Sequence, residues 1–191
     1  PPYFNVETFG FNSPNMLYLK NNYTDIWMDK SDILFYFFHK AIQLCKWKIW
    51  FITSNAFLFS NKAQKLRNYI IQNSNIEKVI NFEQYQIFAD ASITSCITIL
   101  NNKKKTDTRA IIFPEKNYSI SELSNLIDQE WYQTIFRENE VFSLVNGEKD
   151  ILNNKIDKWS VNLWSVLKVW SWMQTAANEA FTFDAKPHFP D

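Results

Sequence analysis

Two kinds of apolar segment alternate between residues 31 and 102, and this alternation limits the folds open to the chain. "SDILFYFFHKAIQLCK" (31–46) places apolar residues at helical spacing, with Ser31 as the expected N-cap. "KIWFIT" (48–53) is a continuous apolar run, typical of a strand buried on both faces. One further predicted helix and two further strands follow: 56–73, 75–82 and 93–102. The order predicts an α/β fold, namely the later half of a doubly wound sheet that ends in a hairpin-like pair.

The flanking regions lack this regularity. Residues 1–30 carry Pro, Asn and Gly without sustained periodicity, which predicts a long loop. A short strand, "AIIFP" (110–114), precedes a helix at about 119–129 that Ser119 or Ser121 would cap. The pattern changes again near residue 157, so the sequence predicts two regions, 1–157 and 158–191.

Composition narrows the function classes. The formal net charge is zero, so any contact with nucleic acid must come from local patches. Cys45 and Cys96 lie in apolar surroundings, which favours reduced thiols in a cytoplasmic protein. The sequence contains no His/Cys cluster at ligand spacing, no signal peptide and no membrane-length apolar run, so neither a metal nor a membrane partner is predicted.

Two short motifs are suited to holding a planar base. "PPY" (1–3) stiffens the backbone, directs a carbonyl towards one point and places an aromatic face beside it. "IFADAS" (87–92) is a predicted loop between two strands that presents Phe88. Read separately, the first motif is commonly a rigid turn, and an aromatic residue such as Phe88 commonly fills a core.

Taken in order, the motifs resemble the N6-adenine DNA methyltransferases of Eco57I-like restriction-modification enzymes. The segments that carry the resemblance are "PPY", "SDILFYFFHKAIQLCK", "KIWFITSNAFLFSNKAQKLRNYI", "NIEKVINFEQYQIFADASITSCITIL" and "QTAANEAF". The resemblance implies a Rossmann-like class I methyltransferase fold. Residues 1–157 would be its downstream half, and 158–191 would begin a DNA target-recognition domain.

The resemblance also implies a reaction. An adenine would leave the duplex and receive a methyl group from S-adenosylmethionine. The carbonyl of Pro1, beside Pro2, would accept a hydrogen bond from the adenine amine, and Tyr3 and Phe88 would stack on opposite faces of the base. The residue expected before Pro1 and the glycine-rich cofactor loop would lie upstream, so the chain is expected to be an inactive fragment on its own.

Double-stranded DNA is the implied partner, with an endonuclease domain in the same protein or a separate one. The side chains expected to contact DNA are Lys62, Lys65, Arg67, the run Lys103, Lys104 and Lys105, and Gln174 and Asn178 in "QTAANEAF". Two alternatives stay open: a Pro-Pro-Tyr methyltransferase that acts on protein glutamine or RNA, and a non-enzymatic α/β interaction module.

The balance of glycine and tryptophan is unusual, since two Gly stand against eight Trp. Trp50, Trp170 and Trp172 fall where the resembled family has glycine, and Trp47 and Trp164 are weaker cases. We hypothesise that several of these indoles are UGA codons which the host reads as glycine. The alternative is that they are genuine tryptophans in β structure.

Overall fold

A computed structural model gives the fold. The residues that it describes are 4–83, 85–88, 94–102, 107–113, 115, 117–129, 131–144, 152, 155–156, 158–161 and 163–166. The chain divides into two compact units, residues 1–151 and 152–191. The roles predicted for the regions on either side of residue 157 stay predictions.

A five-stranded sheet forms the centre of the first unit. Its strands are β1 (Lys48–Ser54), β2 (Asn75–Asn81), β3 (Ser95–Asn101), β4 (Thr108–Ile112) and β5 (Tyr132–Thr134). They lie in the order β1-β3-β2-β4-β5, with β3 antiparallel to both of its neighbours and β4 parallel to β2. The predicted α/β class and the antiparallel pair β2-β3 are therefore confirmed. Because β1 and β2 run in the same direction, their carboxyl ends lie at one edge of the sheet together with that of β4.

The helices of the first unit are short. They are α1 (Pro14–Asn22), α2 (Leu34–Leu44), α3 (Ala56–Phe59), α4 (Gln64–Asn73) and α5 (Ile120–Gln129), with 3-10 turns at Val6–Phe9 and Asn61–Ala63. Of the two serines predicted to cap α5, Ser119 does so. Its hydroxyl accepts a hydrogen bond from Glu122 N, and the Glu122 carboxylate accepts one from Ser119 N. This reciprocal pair is a capping box.

Three local predictions were wrong. Residues 1–30 contain α1, which Ser13 caps through a hydrogen bond from Met16 N, with Pro14 at its first position. Ser31 does not cap α2, because its hydroxyl bonds the buried Tyr36 hydroxyl instead. The helix predicted over 56–73 is broken at Ser60, whose backbone is extended.

β1 also differs from its prediction. Alternate side chains of this strand are exposed, including Trp50, which is 67% exposed, and Ile52, so one of its faces is open. Strands buried on both faces are uniformly apolar, but this apolar run belongs to a strand at the end of the sheet order.

The main core contains side chains from α2, α4 and the sheet, together with side chains near the end of the first unit. Phe38, Phe57, Leu66 and Leu100 are fully buried in it, and so is Phe142. A second cluster on the sheet includes Ile80, Phe82, Ile111 and Phe113, against which α5 packs. The sheet therefore has apolar contacts on two sides, as an α/β fold requires.

The second unit contributes a short helix, α6 (Leu163–Val166), among the residues described. Trp159 in this unit is almost fully exposed. Across the described ranges, the helices are too short or too polar to traverse a lipid bilayer.

Candidate functional site

The segment that follows "PPY" is fastened beside α2. Ile33 N donates to Phe4 O and Val6 N donates to Ser31 O, each at 3.0 Å, so residues 4–6 pair with residues 31–33. The Asn5 side chain donates to Lys30 O at 2.9 Å. The chain immediately after the predicted catalytic motif therefore has a fixed place.

A cavity of about 190 Å³ lies between this segment and the carboxyl end of β1. Its polar lining consists of Asn5, Lys30, Asp32, Ser54, Ser60 and Lys62, and its apolar lining of Leu34, Phe35, Ala56 and Phe57. In α/β sheets, ligands bind at the carboxyl ends of the strands. The cavity has this position and carries two ammonium groups.

Lys30 is a residue of this cavity that the sequence did not single out. Its φ of 59° lies in the left-handed region, which costs a residue with a Cβ about 1–2 kcal/mol. Its ammonium group is 4.0 Å from the Glu7 carboxylate and mostly exposed. Burial raises the pKa of the neighbouring Asp32 carboxyl, and the hydrogen bond from Leu34 N to Asp32 Oδ1 acts against this rise. The strained residue here is Lys30, and left-handed backbone strain of this kind concentrates at functional sites.

Phe88 is in the segment that connects β2 and β3. Its side chain is 47% exposed, so it does not fill the core. Phe82 N donates to Ser95 O at 3.0 Å, which brings the two ends of the connection together at the carboxyl edge of the sheet. The exposure of Phe88 leaves its ring available for stacking.

The three basic residues of 62–67 that were predicted to contact DNA differ in their exposure. Lys62 and Lys65 are exposed, and Lys62 lines the cavity. Arg67, by contrast, is only 2% exposed. Its guanidinium donates to three backbone carbonyls: Phe57 O at 2.9 Å, Ser60 O at 2.7 Å and Glu140 O at 2.9 Å.

The prediction that Arg67 contacts DNA is therefore wrong. At the break between α3 and α4, Arg67 donates to the carbonyls of Phe57 and Ser60, the second of which also accepts from Ala63 N. Burial lowers the pKa of Arg67, since it removes water from the charged group. The residue is a structural tie and not a phosphate contact.

Several predicted site residues lie outside the described residues: Pro1, Pro2, Tyr3, Lys103, Lys104, Lys105, Gln174 and Asn178. Their roles stay predictions. The distance between the Tyr3 and Phe88 rings, on which the stacking arrangement depends, is likewise untested. Within the described ranges, no three His, Cys, Asp or Glu side chains are grouped as metal ligands.

The tryptophans at presumed glycine positions are only partly described. Trp50 lies inside β1 opposite Ile99, and neither Trp50 nor Trp47 has a positive φ. The backbone at these two positions is therefore one that a residue with a side chain adopts without left-handed strain. Trp170 and Trp172 lie outside the described residues, as does the side chain of Trp164. Whether the host inserts glycine at these codons stays a hypothesis.

Comparison with known proteins supports the motif order. The family model described as Eco57I restriction-modification methylase matches residues 1–88. The type II restriction enzyme and methyltransferase RM.Eco57I of Escherichia coli is 22% identical over 95% of this chain, and the chain spans 18% of its length. The predicted resemblance to the Eco57I-like enzymes is confirmed.

Two solved structures are more distant matches. One is the type I restriction-modification methyltransferase subunit from Streptococcus thermophilus, at 18% identity and a TM-score of 0.46 over 58% of this chain and 27% of that one. The other, from a study of complex assembly in the type I restriction-modification system, has 6% identity and a TM-score of 0.42 over 69% of this chain and 37% of that one.

Proposed function

We propose that this chain, a relative of the Eco57I restriction-modification methylases, supplies part of a site-specific DNA N6-adenine methyltransferase. The full protein would transfer a methyl group from S-adenosylmethionine to an adenine that has left the duplex. The methylated atom and the cofactor are part of the proposal, since the family relation itself establishes neither.

One observation carries the proposal. The residues after "PPY" and both ends of the Phe88 segment meet at the carboxyl edge of the same sheet, around the end of β1. Described residues next to the two motifs thus lie near the edge where α/β enzymes bind their ligands, which supports the proposal. An exposed aromatic ring can stack on a flipped base, and two cavity-lining lysines can contact the phosphates beside it.

Each group would have a separate role. The Pro1 carbonyl would accept a hydrogen bond from the adenine amine, and Tyr3 and Phe88 would stack on the two faces of the ring. Lys62 in the cavity and Lys65 beside it would contact phosphates, whereas Gln174 and Asn178 would contact DNA from the second unit. The two units would then correspond to catalysis and target recognition.

S-adenosylmethionine would supply an electrophilic methyl group when bound. What this chain contributes is the orientation of the adenine: stacking and a hydrogen bond to the amine bring the nitrogen into line with the methyl group.

Substitution of Phe88 tests the function. In the complete protein that contains this chain, we expect Phe88→Ala to lower kcat/KM for methylation of duplex DNA about tenfold or more. The physical reason is that stacking on an aromatic ring contributes about 1–3 kcal/mol per base. Transfer of radiolabelled methyl from S-adenosylmethionine to DNA measures it, and digestion to nucleosides identifies N6-methyladenine.

Phe37→Ala is the matched control, because Phe37 is similarly exposed, at 42%, but lies on α2. It should leave kcat/KM within about twofold of the unsubstituted protein. Methylation of protein or RNA but not of duplex DNA by the unsubstituted enzyme would contradict the proposal and favour the first alternative. Absence of S-adenosylmethionine binding would favour a non-enzymatic module.

A further inference from the structure

A group of three hydrogen-bonding side chains, two of them buried, lies at the carboxyl edge of the sheet. It consists of Asn55, which follows β1, Asn81, the last residue of β2, and Thr94, which precedes β3. Asn55 Nδ2 donates to Asn81 Oδ1 at 3.0 Å, and Thr94 Oγ1 donates to Asn55 Oδ1 at 2.7 Å. Asn55 N also donates to Thr94 O at 3.0 Å. Asn55 and Asn81 are 8% and 1% exposed.

These bonds hold both ends of the segment that carries Phe88. Asn81 stands at its start and Thr94 at its end, 13 positions later in the sequence. Asn55 comes from a different part of the chain and bonds to both. Together with the bond from Phe82 N to Ser95 O, this fixes the base of the segment to the end of β1.

The chemistry of the site requires an asparagine at position 55. One short planar group must donate to Asn81 and accept from Thr94, and an amide does both. An aspartate would present only acceptors to Asn81 Oδ1, and an alanine would leave the Asn81 oxygen without this donor. Ser54 in the same turn lines the cavity, so the network also borders the proposed site.

Asn81 has a further unusual feature. Its Nδ2 is buried and has no hydrogen-bond partner among the described residues. Among those residues, the bond from Asn55 is therefore the one that holds the Asn81 side chain in place.

We propose that Asn55 is a positioning residue that sets the Phe88 ring against the flipped adenine. Asn55 does not touch the base; it holds the two ends of the Phe88 segment at a fixed distance from β1. The inference rests on the proposed function, because Phe88 is the proposed stacking residue.

A double-mutant cycle in the complete protein tests this role. Asn55→Asp should lower kcat/KM for DNA methylation about tenfold or more, in the same range as Phe88→Ala. Because Asn55 acts through Phe88, the double substitution should be little worse than the stronger single one. If the two losses multiply, Asn55 does not act through Phe88 and the inference is overturned.

A spectroscopic measurement separates positioning from general destabilisation. With 2-aminopurine in place of the target adenine, stacking on Phe88 quenches its fluorescence, so Asn55→Asp should raise the emission of the bound complex. Asn73→Asp is the control, since Asn73 is an exposed asparagine at the end of α4 whose amide bonds only Tyr69 O among the described contacts. It should change neither emission nor kcat/KM.

Thr94→Val removes one hydroxyl from an exposed residue and serves where Asn55→Asp does not fold. It should lower kcat/KM about threefold to tenfold and raise the emission, with the melting temperature nearly unchanged. Unchanged emission for a folded variant with reduced kcat/KM would overturn the inference while leaving the proposed function intact. No methylation of DNA by the unsubstituted protein would instead reject the proposed function, and this inference with it.

Discussion

Two different hydrogen-bond networks connect β1, β2 and β3 at the opposite ends of these strands. At the carboxyl edge, Asn55, Asn81 and Thr94 form a neutral network around buried amides. At the amino edge, Lys48 of β1 donates to Glu77 of β2 at 2.8 Å, and Asn101 of β3 donates to the other Glu77 oxygen, also at 2.8 Å. Each network joins β1, β2 and β3 or the residues next to them.

The difference lies in access to water. The Lys48 and Glu77 side chains are 47% and 27% exposed, so water and salt can replace much of their attraction. The amides of Asn55 and Asn81 have no such replacement, because a buried polar group without a partner keeps its full desolvation cost. The edge beside the proposed site is therefore expected to tolerate less change than the opposite edge.

Asn81→Asp should have the largest effect on stability. It places a carboxylate where Asn55 offers a single donor, and we expect the free energy of unfolding at pH 7 to fall by about 3 kcal/mol. Burial would raise the pKa of the new carboxyl in the folded state, so the loss should shrink as the pH falls towards that value. Urea unfolding between pH 7 and pH 4 measures both. Asn73→Asp places an exposed carboxylate at the end of α4 and should cost less than about 1 kcal/mol at pH 7.

Glu77→Gln should have an intermediate effect, which also decreases in acid but because the unsubstituted chain loses its own carboxylate there. The hydrogen bonds from Lys48 and Asn101 lower the pKa of Glu77 in the folded state. Its stabilisation is thus present above the pKa of the unfolded chain and is lost as the pH falls through the folded value. We expect a loss of about 1 kcal/mol at pH 7 that disappears in acid. A loss that grew in acid would contradict the assignment.

Lys48→Met should have the smallest effect, about 0.5 kcal/mol at low ionic strength, because Lys48 is half exposed and its stem can still pack. The difference from the unsubstituted chain should decrease when NaCl is raised to about 0.5 M, since salt screens exposed charges. The effect of Asn81→Asp should change much less with salt. Equal salt dependence at both ends would remove the distinction between them.

Strands β1 to β4 and helices α2 and α5 were predicted from the sequence because their signals are local. The apolar runs of β1, β2 and β3 and the helical spacing of α2 each extend over a few adjacent residues. Helix α1 had a local signal as well, Ser13 followed by Pro14, which the overall polarity of residues 1–30 outweighed in the prediction. The break at Ser60 also had a local signal, because the Ser60 hydroxyl caps the 3-10 turn that follows by accepting from Lys62 N.

The candidate site was less predictable because its contacts are not local. The resemblance to a known family pointed to Phe88, and the structure shows that its side chain is exposed. The bond between Asn55 and Asn81 spans 26 positions and that between Asn55 and Thr94 spans 39, so no periodicity reveals them. The burial of Arg67 likewise depends on Glu140, which lies 73 positions further along the chain.

The Arg67 tie sets a practical limit on how far the first unit can be shortened. Removing residues 136–144 would delete the Glu140 carbonyl and the buried Phe142 ring, whose backbone N–H also donates to Leu58 O. The guanidinium would keep its bonds to Phe57 O and Ser60 O but lose its third carbonyl partner and the Phe142 ring beside it. A minimal version of this unit for crystallography or NMR should therefore retain the chain at least through Leu144, even though the sheet itself ends ten positions earlier.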